Sequence, residues 1–473
     1  MPDYNQLNFK LGLEIHQQLE TNKLFCKCPS ITNKKEKPDF IFRRKLRATS
    51  GEQGIKDIAA LYEQEKNKLF IYEAYKDCNC LVEFDEEPPH QINQHALLTA
   101  LEIALLLKAE IINEIQVMRK IVIDGSNVSG FQRTALIAVN GQLETSRGIV
   151  RIPTICLEEE AAKKIQEDEH SITYRLDRLG IPLVEIATSP DIRNPEHAKE
   201  TASLLGMILR STEKVKRGLG TIRQDINLSI HNYPRVELKG FQDLKSIPKT
   251  IEKEVARQLN SPPKQKEVRR INPDFTSTFL RPMPSASRMY PETDIPTIEI
   301  PQSLLSKIKL PELIAEAAIN IEEQYNLLPK LSQEIIKQKL NFEDYVNKYK
   351  NIPPEVIAAI LIETPKEIKS RFNLKTEKLK PAHFNAVLEA LNNNKINKES
   401  IIEILSEAAK SGDIHLEKYK AIPLSELEKE IIQLANKNQH LSINALMGMI
   451  MQKYRGKIEG KKVAEIINKV KKQ

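Results

Sequence analysis

The chain has 473 residues, of which 40% are hydrophobic, so it is too long for one ordinary core and we expect two to four domains. No run approaches the roughly 18 consecutive apolar residues of a membrane span, and the opening MPDYNQLNFK has neither the basic region nor the apolar core of a secretory signal, which predicts a cytoplasmic protein. Lysine and arginine total 71 against 64 acids, and the resulting charge of +7 permits a nucleic-acid partner without requiring one.

Several segments alternate apolar and polar residues, which predicts strands with one charged face. Residues 11–19 place Leu11, Leu13 and Ile15 on one face and Glu14 and His16 on the other. The same pattern carries Glu185 in PLVEIA, Arg223 and Asp225 in TIRQDINLSI, and Glu237 and Lys239 in RVELK. A solvated face of an antiparallel sheet is the alternative for any single strand. Taken together, carboxylates, an imidazole and cations favour a site for divalent cations and phosphate.

Three consecutive acids follow another predicted strand, in IPTICLEEEAAKK. Glu158, Glu159 and Glu160 are compatible with an exposed helix start, where the macrodipole favours acids, or with a metal that removes their mutual repulsion. The chain has no G-x-x-x-x-G-K-[ST] motif, so any bound ATP must be held by a sheet surface.

Four of the five cysteines form two C-x-C pairs, Cys26 with Cys28 and Cys78 with Cys80. Disulfides are not expected in a cytosolic protein, and two thiolate pairs from distant segments suit a tetrahedral Zn²⁺ site of structural type. The alternative is four unrelated buried cysteines.

The remainder of the chain divides by composition. Residues 260–288, rich in Pro and Ser, are predicted to form a loop at the edge of the first domain. Beyond residue 301 the apolar spacing is helical throughout, which makes the whole chain α+β. A basic module near the end is the best candidate for contacting RNA phosphates, through Lys453, Arg455, Lys457, Lys461 and Lys462.

These motifs resemble a known family over essentially the whole chain. GLEIHQQL with FCKCP, CLEEEAAK, YRLDRLGIPLVEIATSPDIRNP, GTIRQDINLSI, VELKGFQDL and RMYPETDIP are similar, in this order, to the GatB/GatE family of Glu-tRNA(Gln) amidotransferase subunits, and most similar to its archaeal GatE branch. The resemblance implies a cradle domain akin to glutamine synthetase with a mainly antiparallel sheet over residues 1–301, a helical domain over 302–406, and a tRNA-binding tail domain of the YqeY type over 407–473.

The resemblance also implies a reaction and its participants. ATP would phosphorylate the side chain of glutamate esterified to tRNA(Gln), and ammonia from a separate asparaginase-like amidase subunit would displace the phosphate to give Gln-tRNA(Gln). His16, Glu159 and Glu185 stand where the family places ligands of a tightly held Mg²⁺, and Glu14 and Glu158 where a second, ATP-associated Mg²⁺ binds. Arg223, Asp225, Glu237 and Lys239 would contact the nucleotide or order the metal ligands.

The chain departs from the family in two places. Glu160 stands where relatives usually have aspartate, and an insertion resembling part of bacterial aspartyl-tRNA synthetase, expected ahead of RMYPETDIP, is missing. Selection of tRNA(Gln) is therefore less firmly predicted than the chemistry. The same reaction on Asp-tRNA(Asn), a non-catalytic tRNA-binding scaffold, and a ligase acting on a free amino acid are the alternatives.

Overall fold

The computed structural model describes residues 2–32, 37–241, 243–284, 288–420, 424–438, 441–454 and 460–471. Contacts divide the chain into two compact units, Met1–Leu313 and Ile314–Gln473. The first combines strands and helices and the second is helical, as the change in sequence character predicts. Among the described residues, no helix is both long and apolar enough to cross a bilayer.

The strands of the first unit are β1 (Lys10–Gln18), β2 (Phe40–Arg44), β3 (Leu69–Ala74), β4 (Glu110–Ile111), β5 (Glu114–Ile115), β6 (Val117–Ile121), β7 (Phe131–Thr145), β8 (Gly148–Glu159), β9 (Lys163–Glu167), β10 (Ser171–Arg175), β11 (Pro182–Ala187), β12 (Ile222–Ser229), β13 (Val236–Lys239), β14 (Glu267–Ile271), β15 (Ser277–Pro282), β16 (Met289–Pro291) and β17 (Ile298–Glu299). Its helices are α1 (Ile58–Glu65), α2 (Gln94–Leu106), α3 (Pro195–Ser211), α4 (Ser246–Asn260) and α5 (Gln302–Leu305).

An eleven-stranded sheet organises the first unit, in the order β15-β14-β13-β12-β1-β11-β8-β7-β6-β16, with β4 paired to β7. All described pairs in it are antiparallel except β13 with β14, which agrees with the expected mainly antiparallel α+β fold. A four-stranded sheet, β2-β3-β10-β9, has its own small core around Phe70, Tyr72 and Leu176.

One face of the large sheet packs on helices. Leu11, Leu13 and Ile15 of β1 are fully buried, and α3 packs against this strand. The Asn194 side chain accepts a hydrogen bond from the backbone N–H of His197, and Pro195 occupies the first turn of α3, where no N–H partner is lost. Because the apolar face is covered, the alternate charged residues lie on the opposite face.

The expectation of a loop over residues 260–288 is wrong. This segment contains β14 and β15, which form the edge of the large sheet. Flanking Pro and Ser residues obscured two short strands, EVRRI and STFLRP. The first pairs with β13 and the second with the first, and these pairings supply backbone partners that the isolated segment lacks.

The second unit consists of α6 (Ile314–Tyr325), α7 (Pro329–Lys337), α8 (Phe342–Lys348), α9 (Pro354–Ala358), α10 (Thr364–Phe372), α11 (Pro381–Asn392), α12 (Ile401–Ser411), α13 (Leu424–Lys437), α14 (Ile443–Tyr454) and α15 (Gly460–Lys471). A π-helical segment (Ala359–Glu363) and 3-10 segments (Thr376–Lys378, Lys398–Ser400, Leu416–Tyr419) join them. Gly412 ends α12 at φ +89°, a left-handed conformation that favours glycine.

Two apolar clusters occur within this unit. One involves α7 to α12, and the other joins α13, α14 and α15 through Ile431, Leu446 and Val463. Ala409 belongs to the first cluster, although it lies beyond the predicted tail boundary at 407. The predicted boundary at 301 lies before α5, but Leu304 and Leu305 of this helix pack on the core of the first unit. Among the described residues, the apolar clusters therefore divide later in the chain than the boundaries implied by the resemblance.

Candidate active site

A cleft of about 730 Å³ lies on the charged face of the large sheet. Its lining includes eight of the predicted site residues: Glu14, His16, Glu158, Glu185, Arg223, Asp225, Glu237 and Lys239. The strands that carry them are adjacent in the sheet, so residues distant in sequence meet on one surface. This confirms the prediction that the polar faces of these strands line one common surface.

The register of β1 explains why these side chains meet. Glu14 lies directly opposite Asp225 of β12, and His16 lies between Glu185 of β11 and Arg223 of β12. Directly opposed residues of antiparallel strands project to the same face. A shift of one residue in either pairing would send half of this set into the apolar core.

One end of the cleft pairs acids with His16 and Lys120. The His16 Nε2 atom lies 3.4 Å from Glu185 Oε2, and Lys120 Nζ lies 3.6 Å from the same oxygen. Although burial opposes ionisation, the Lys120 ammonium and the hydrogen bond from His16 hold the pKa of Glu185 well below its usual value. Burial alone would lower the pKa of His16, but its contact with Glu185 raises it. Both groups therefore favour their charged forms here.

The other end holds three acids around one lysine. Lys239 Nζ donates to Asp225 Oδ2 at 2.6 Å and lies 2.5 Å from Glu237 Oε1, while Asn227 Nδ2 donates to Glu14 Oε1 at 2.9 Å. Burial, followed by the charges of Glu237 and Glu185, raises the pKa of Glu14 to about 7. A cation at this position would reverse that shift.

Two groups of side chains in the cleft have the geometry to hold a cation. Glu14, His16 and Glu185 form one, and Glu14, Asp225 and Glu237 form the other, with the ligand atoms of each within 4.8 Å of one another. Carboxylate oxygens are the ligands that Mg²⁺ prefers, and an imidazole nitrogen is less common for it. Glu14 belongs to both groups, so two cations could share it.

The structure does not bring Glu159 together with these ligands. It follows Glu158 in β8, and because successive side chains of a strand point to opposite faces, Glu158 faces the cleft and Glu159 faces away. Glu159 is 7% exposed and lies 3.4 Å from the Arg133 guanidinium, in a small cavity behind the sheet. Glu160, just beyond the strand, returns to the cleft and accepts a hydrogen bond from Arg223 at 2.7 Å.

Several cleft residues were not predicted from the sequence. Lys120, Arg178, Arg281 and Arg288 also line it. For Lys120 the signal in the sequence is the basic pair in VMRKI, but such pairs are common on solvated strands. Only the pairing of β6 and β7 brings Lys120 to the cleft.

The two cysteine pairs lie close together, but Glu83 takes the place of Cys78 in the predicted group of four ligands. Cys26, Cys28, Cys80 and Glu83 place their ligand atoms within 4.8 Å of one another, and no disulfide joins any of the described cysteines. Hydrogen bonds from Cys26 and Cys80 lower the pKa of Cys28 to about 4, which favours a thiolate. Cys78 is buried next to this group but not within it, and burial raises its pKa to about 11.

Of the basic tail residues, Lys453 is exposed at the end of α14 and lies 3.9 Å from Glu430 of α13. Arg455 and Lys457 lie outside the described residues. Lys461 and Lys462 belong to α15, and their side chains lie outside the described part of the structure. A basic surface on the tail therefore stays a prediction.

The fold is that of an α+β protein with a mainly antiparallel sheet. The charged face of this sheet forms a cleft lined by acidic and basic side chains, which suits a polar ligand. The chain belongs to the GatB/GatE family: the model of the GatB/GatE catalytic domain matches residues 9–306, and that of the GatB domain matches residues 340–470.

Relatives agree with this assignment along the whole chain. The E subunits of the glutamyl-tRNA(Gln) amidotransferases of Methanocaldococcus jannaschii and Archaeoglobus fulgidus are each 36% identical, with 99% of both chains covered. That of Methanosarcina barkeri is 34% identical, over 99% of this chain and 98% of the relative. The three alignments span 614 to 624 positions against 473 residues here, so the relatives contain segments that this chain lacks, in agreement with the missing insertion.

Proposed function

We propose that this chain is the ATP-dependent subunit of a Glu-tRNA(Gln) amidotransferase. The reaction would transfer the γ-phosphoryl group of ATP to the side-chain carboxylate of tRNA-bound glutamate, with release of ADP. Ammonia would then attack the activated carbonyl carbon and displace phosphate, giving Gln-tRNA(Gln). The observation that carries the proposal is the convergence of Glu14, His16, Glu185, Asp225 and Glu237 in one cleft of the region that matches the catalytic-domain model.

The residues of the cleft fit Mg²⁺ and a nucleotide. The two groups of side chains that share Glu14 would supply carboxylate oxygens, the ligands that Mg²⁺ prefers, and one nitrogen of His16. The Nε atoms of Arg223 and Arg281 are buried without a hydrogen-bond partner among the described residues, and both side chains line the cleft. Buried donors of this kind need an acceptor, and phosphate oxygens are suitable ones.

The roles of the chain's own residues follow from their positions. Glu14, His16 and Glu185 would hold one cation, and Glu14, Asp225 and Glu237 a second. Lys239 lowers the pKa of Asp225 and so favours its carboxylate form. Lys120, Arg223 and Arg281 would orient phosphate oxygens and offset their charge. Bound Mg²⁺ supplies additional neutralisation of the transferring phosphoryl group. Glu158, held by Lys120, lies beside Glu185 and would fix the lysine rather than the substrate.

The proposal includes partners and a domain arrangement. The relatives are named as one of the subunits of an amidotransferase, which implies an assembly, and an asparaginase-like amidase partner would supply the ammonia. The first unit would form a cradle domain akin to glutamine synthetase. The tail, a YqeY-type domain, would bind tRNA(Gln), and it must contribute more to tRNA selection where the relatives have an additional segment.

The deciding experiment is product analysis of Glu-tRNA(Gln) incubated with the chain, ATP, MgCl₂ and an ammonium salt, without any partner protein. We expect ATP-dependent Gln-tRNA(Gln), because the cleft lies entirely within this chain. Parallel reactions with Asp-tRNA(Asn) and with free glutamate test the two rival ligase activities. ATP hydrolysis and amidation absent with all three substrates would leave only a tRNA-binding scaffold.

We also propose a structural zinc ion at the cysteine group. Cys26, Cys28 and Cys80 lie close enough together to supply three ligands, and either Glu83 or the adjacent Cys78 would supply the fourth. With four protein ligands the ion would have no open coordination position, so it would hold the segments before β2 and after β3 together without taking part in catalysis.

Purified protein is expected to contain one zinc per chain, and Cys28→Ser to lose it and unfold at a temperature lower by about 5 °C or more, since structural zinc contributes directly to folding free energy. Metal analysis and thermal denaturation measure this. Cys156→Ser, a thiol on β8 outside the group, is the control and should keep its zinc. Comparing Cys78→Ser with Glu83→Gln identifies the fourth ligand, and zinc-free wild-type protein would contradict the site.

Deleting residues 421–473 should weaken tRNA binding and flatten its dependence on salt. This boundary keeps α12 and the helical cluster intact, because Leu416 and Tyr419 pack against that cluster. Each lost phosphate contact reduces the slope of log K against log salt by somewhat less than one unit. Lys453→Gln should lower the slope by about one and Lys330→Gln, on α7, should not. Equal slopes for the full and shortened chains would remove the tail from the tRNA interface.

A further inference from the structure

Three neighbouring strands repeat one arrangement at the same level of the sheet. In β6, β7 and β8, one residue faces the cleft and the adjacent residue faces the opposite side. The cleft residues are Lys120, Gln132 and Glu158, and the residues behind them are Arg119, Arg133 and Glu159. The register pairs Arg119 with Arg133 and Lys120 with Gln132.

On the cleft side, the three strands are joined through Glu158, which is 1% exposed. Its Oε2 atom accepts a hydrogen bond from Gln132 Nε2 at 3.1 Å, and its Oε1 atom accepts from Thr134 Oγ1 at 2.9 Å and from Lys120 Nζ. Lys120 also reaches Glu185, one of the candidate cation ligands. The position of β8 relative to β6 therefore determines where Lys120 and Glu158 lie.

Behind the sheet, Glu292 joins the same strands. This carboxylate is fully buried just after β16 and lies between two guanidinium groups. Arg133 Nε and Arg119 Nε each donate to its Oε2 atom at 2.8 Å, Arg119 Nη2 donates to Oε1 at 2.6 Å, and the backbone N–H of Asp294 donates to Oε1 at 3.0 Å. Arg133 continues the chain of charges to Glu159, whose Oε2 accepts the backbone N–H of Arg133 at 3.2 Å.

This back cluster, defined as Arg119, Arg133, Glu159 and Glu292, does not line the cleft. Its charges are paired and both Glu292 oxygens accept from donors, so a sliding of β6 or β8 would lengthen and weaken several charged hydrogen bonds at once. The strands cannot easily move apart, because that would leave buried charges without partners at a large cost in free energy. On each of the three strands, a residue of the back cluster is adjacent in sequence to a residue of the cleft. The backbone therefore couples the back cluster to the cleft.

We propose that the back cluster positions the cleft residues for phosphoryl transfer, with Glu292 and Arg133 as its central members. The inference rests on the proposed function for its kinetic consequence, although its structural content does not. It also assigns Glu159 a role different from the one implied by resemblance, namely holding Arg133 rather than binding a cation. Misplacement of reacting groups by about 1 Å can cost a factor of about 100 in rate.

Glu292→Gln in the full chain tests the proposal. It keeps the shape of the side chain and removes the charge shared by the two arginines. In the ammonium-dependent assay, at a temperature well below the unfolding midpoint of the variant, we expect kcat to fall about 10- to 100-fold with the KM for ATP within about threefold of wild type. Hydrogen exchange should become roughly tenfold faster or more at the amides of β6 and β8 and stay unchanged in β12 and β13.

The matched control is Asp191→Asn. Asp191 accepts two hydrogen bonds from the Arg151 guanidinium of β8, at 3.0 and 2.7 Å, and a third from the Arg151 backbone N–H at 3.0 Å. The variant therefore weakens the same type of ion pair on β8, at a half-buried carboxylate away from the cleft. Its kcat should remain that of wild type, and so should exchange at the amides of β6 and of β8 other than Arg151, whose N–H donates to Asp191. Arg119→Lys, which keeps the charge and loses the paired contact, should give a smaller decrease and serves if Glu292→Gln does not fold.

Wild-type kcat and unchanged exchange in β6 and β8 of the variant would overturn the proposal, even with a lower melting temperature, because they would reduce the back cluster to a contribution to stability. If wild-type protein itself forms no product, the proposed function fails. The exchange measurement then still decides whether the back cluster holds the three strands in place.

Discussion

Glu185→Gln is expected to reduce ATP-dependent formation of Gln-tRNA(Gln) by at least about 100-fold while tRNA binding stays within about twofold of wild type. Glu185 is a candidate Mg²⁺ ligand that also contacts Lys120: its Oε2 atom lies 3.4 Å from His16 Nε2 and 3.6 Å from Lys120 Nζ. An amide of the same shape removes the negative charge that both cations face. His16→Ala should have the same effect, since it removes a member of the same group.

The measurement is single-turnover phosphorylation and amidation of Glu-tRNA(Gln), with filter binding of the tRNA in parallel. Glu196→Gln is the matched control, because this glutamate is 60% exposed on α3 and its ion pair with Lys199 is at the surface. Normal turnover of Glu185→Gln and His16→Ala would remove both residues from the active site. Loss of tRNA binding in either variant would indicate misfolding instead.

Millimolar Mg²⁺ should raise the unfolding temperature of the wild-type chain, because the cleft holds two candidate ligand groups that share Glu14. A ligand at about 100 times its dissociation constant stabilises the folded state by about 2.7 kcal/mol. Glu14→Gln removes one ligand from both groups and should abolish the shift. Glu159→Gln should retain it, since Glu159 lies behind the sheet, whereas the resemblance predicts its loss.

The same variant has a pH signature without metal. The pKa of Glu14 is raised from 4.5 to about 7 by burial and by the neighbouring acids, so the folded chain binds the proton more tightly than the unfolded chain does. Stability from this group is complete below pH 4.5 and is lost as the pH rises to about 7, by up to about 1.4 kcal/mol per pH unit. Glu14→Gln should lack this loss. If the free energy of unfolding had the same pH dependence in the wild-type chain and in Glu14→Gln over this range, Glu14 would not be clustered with acids.

The alternation of residues predicted β1, β11, β12 and β13 and the polar face of each, because a period of two is a local property that burial of one face imposes. The C-x-C spacing likewise predicted a cysteine group. It did not reveal that Glu83 lies within reach of three thiols while Cys78 lies outside, because ligand distances depend on how two separated segments pack.

The order of the strands was beyond prediction from the pattern. Nothing in TIRQDINLSI or PLVEIA indicates that both pair with β1, yet this pairing places Arg223 and Glu185 on either side of His16. Residues 260–288 were predicted as a loop because their two short strands depend on the pairing of β14 with β13, a long-range contact that a local pattern does not contain.

The sequence by itself determined which residue types face the core and which do not, since that follows from the alternation of each strand and the apolar spacing of each helix. Only the tertiary structure decided which of three adjacent glutamates enters the cleft. Consecutive side chains of a strand point to opposite faces, and the end of β8 is set by its pairing with β7 and β11, so Glu158 and Glu160 reach the cleft while Glu159 meets Arg133 behind the sheet.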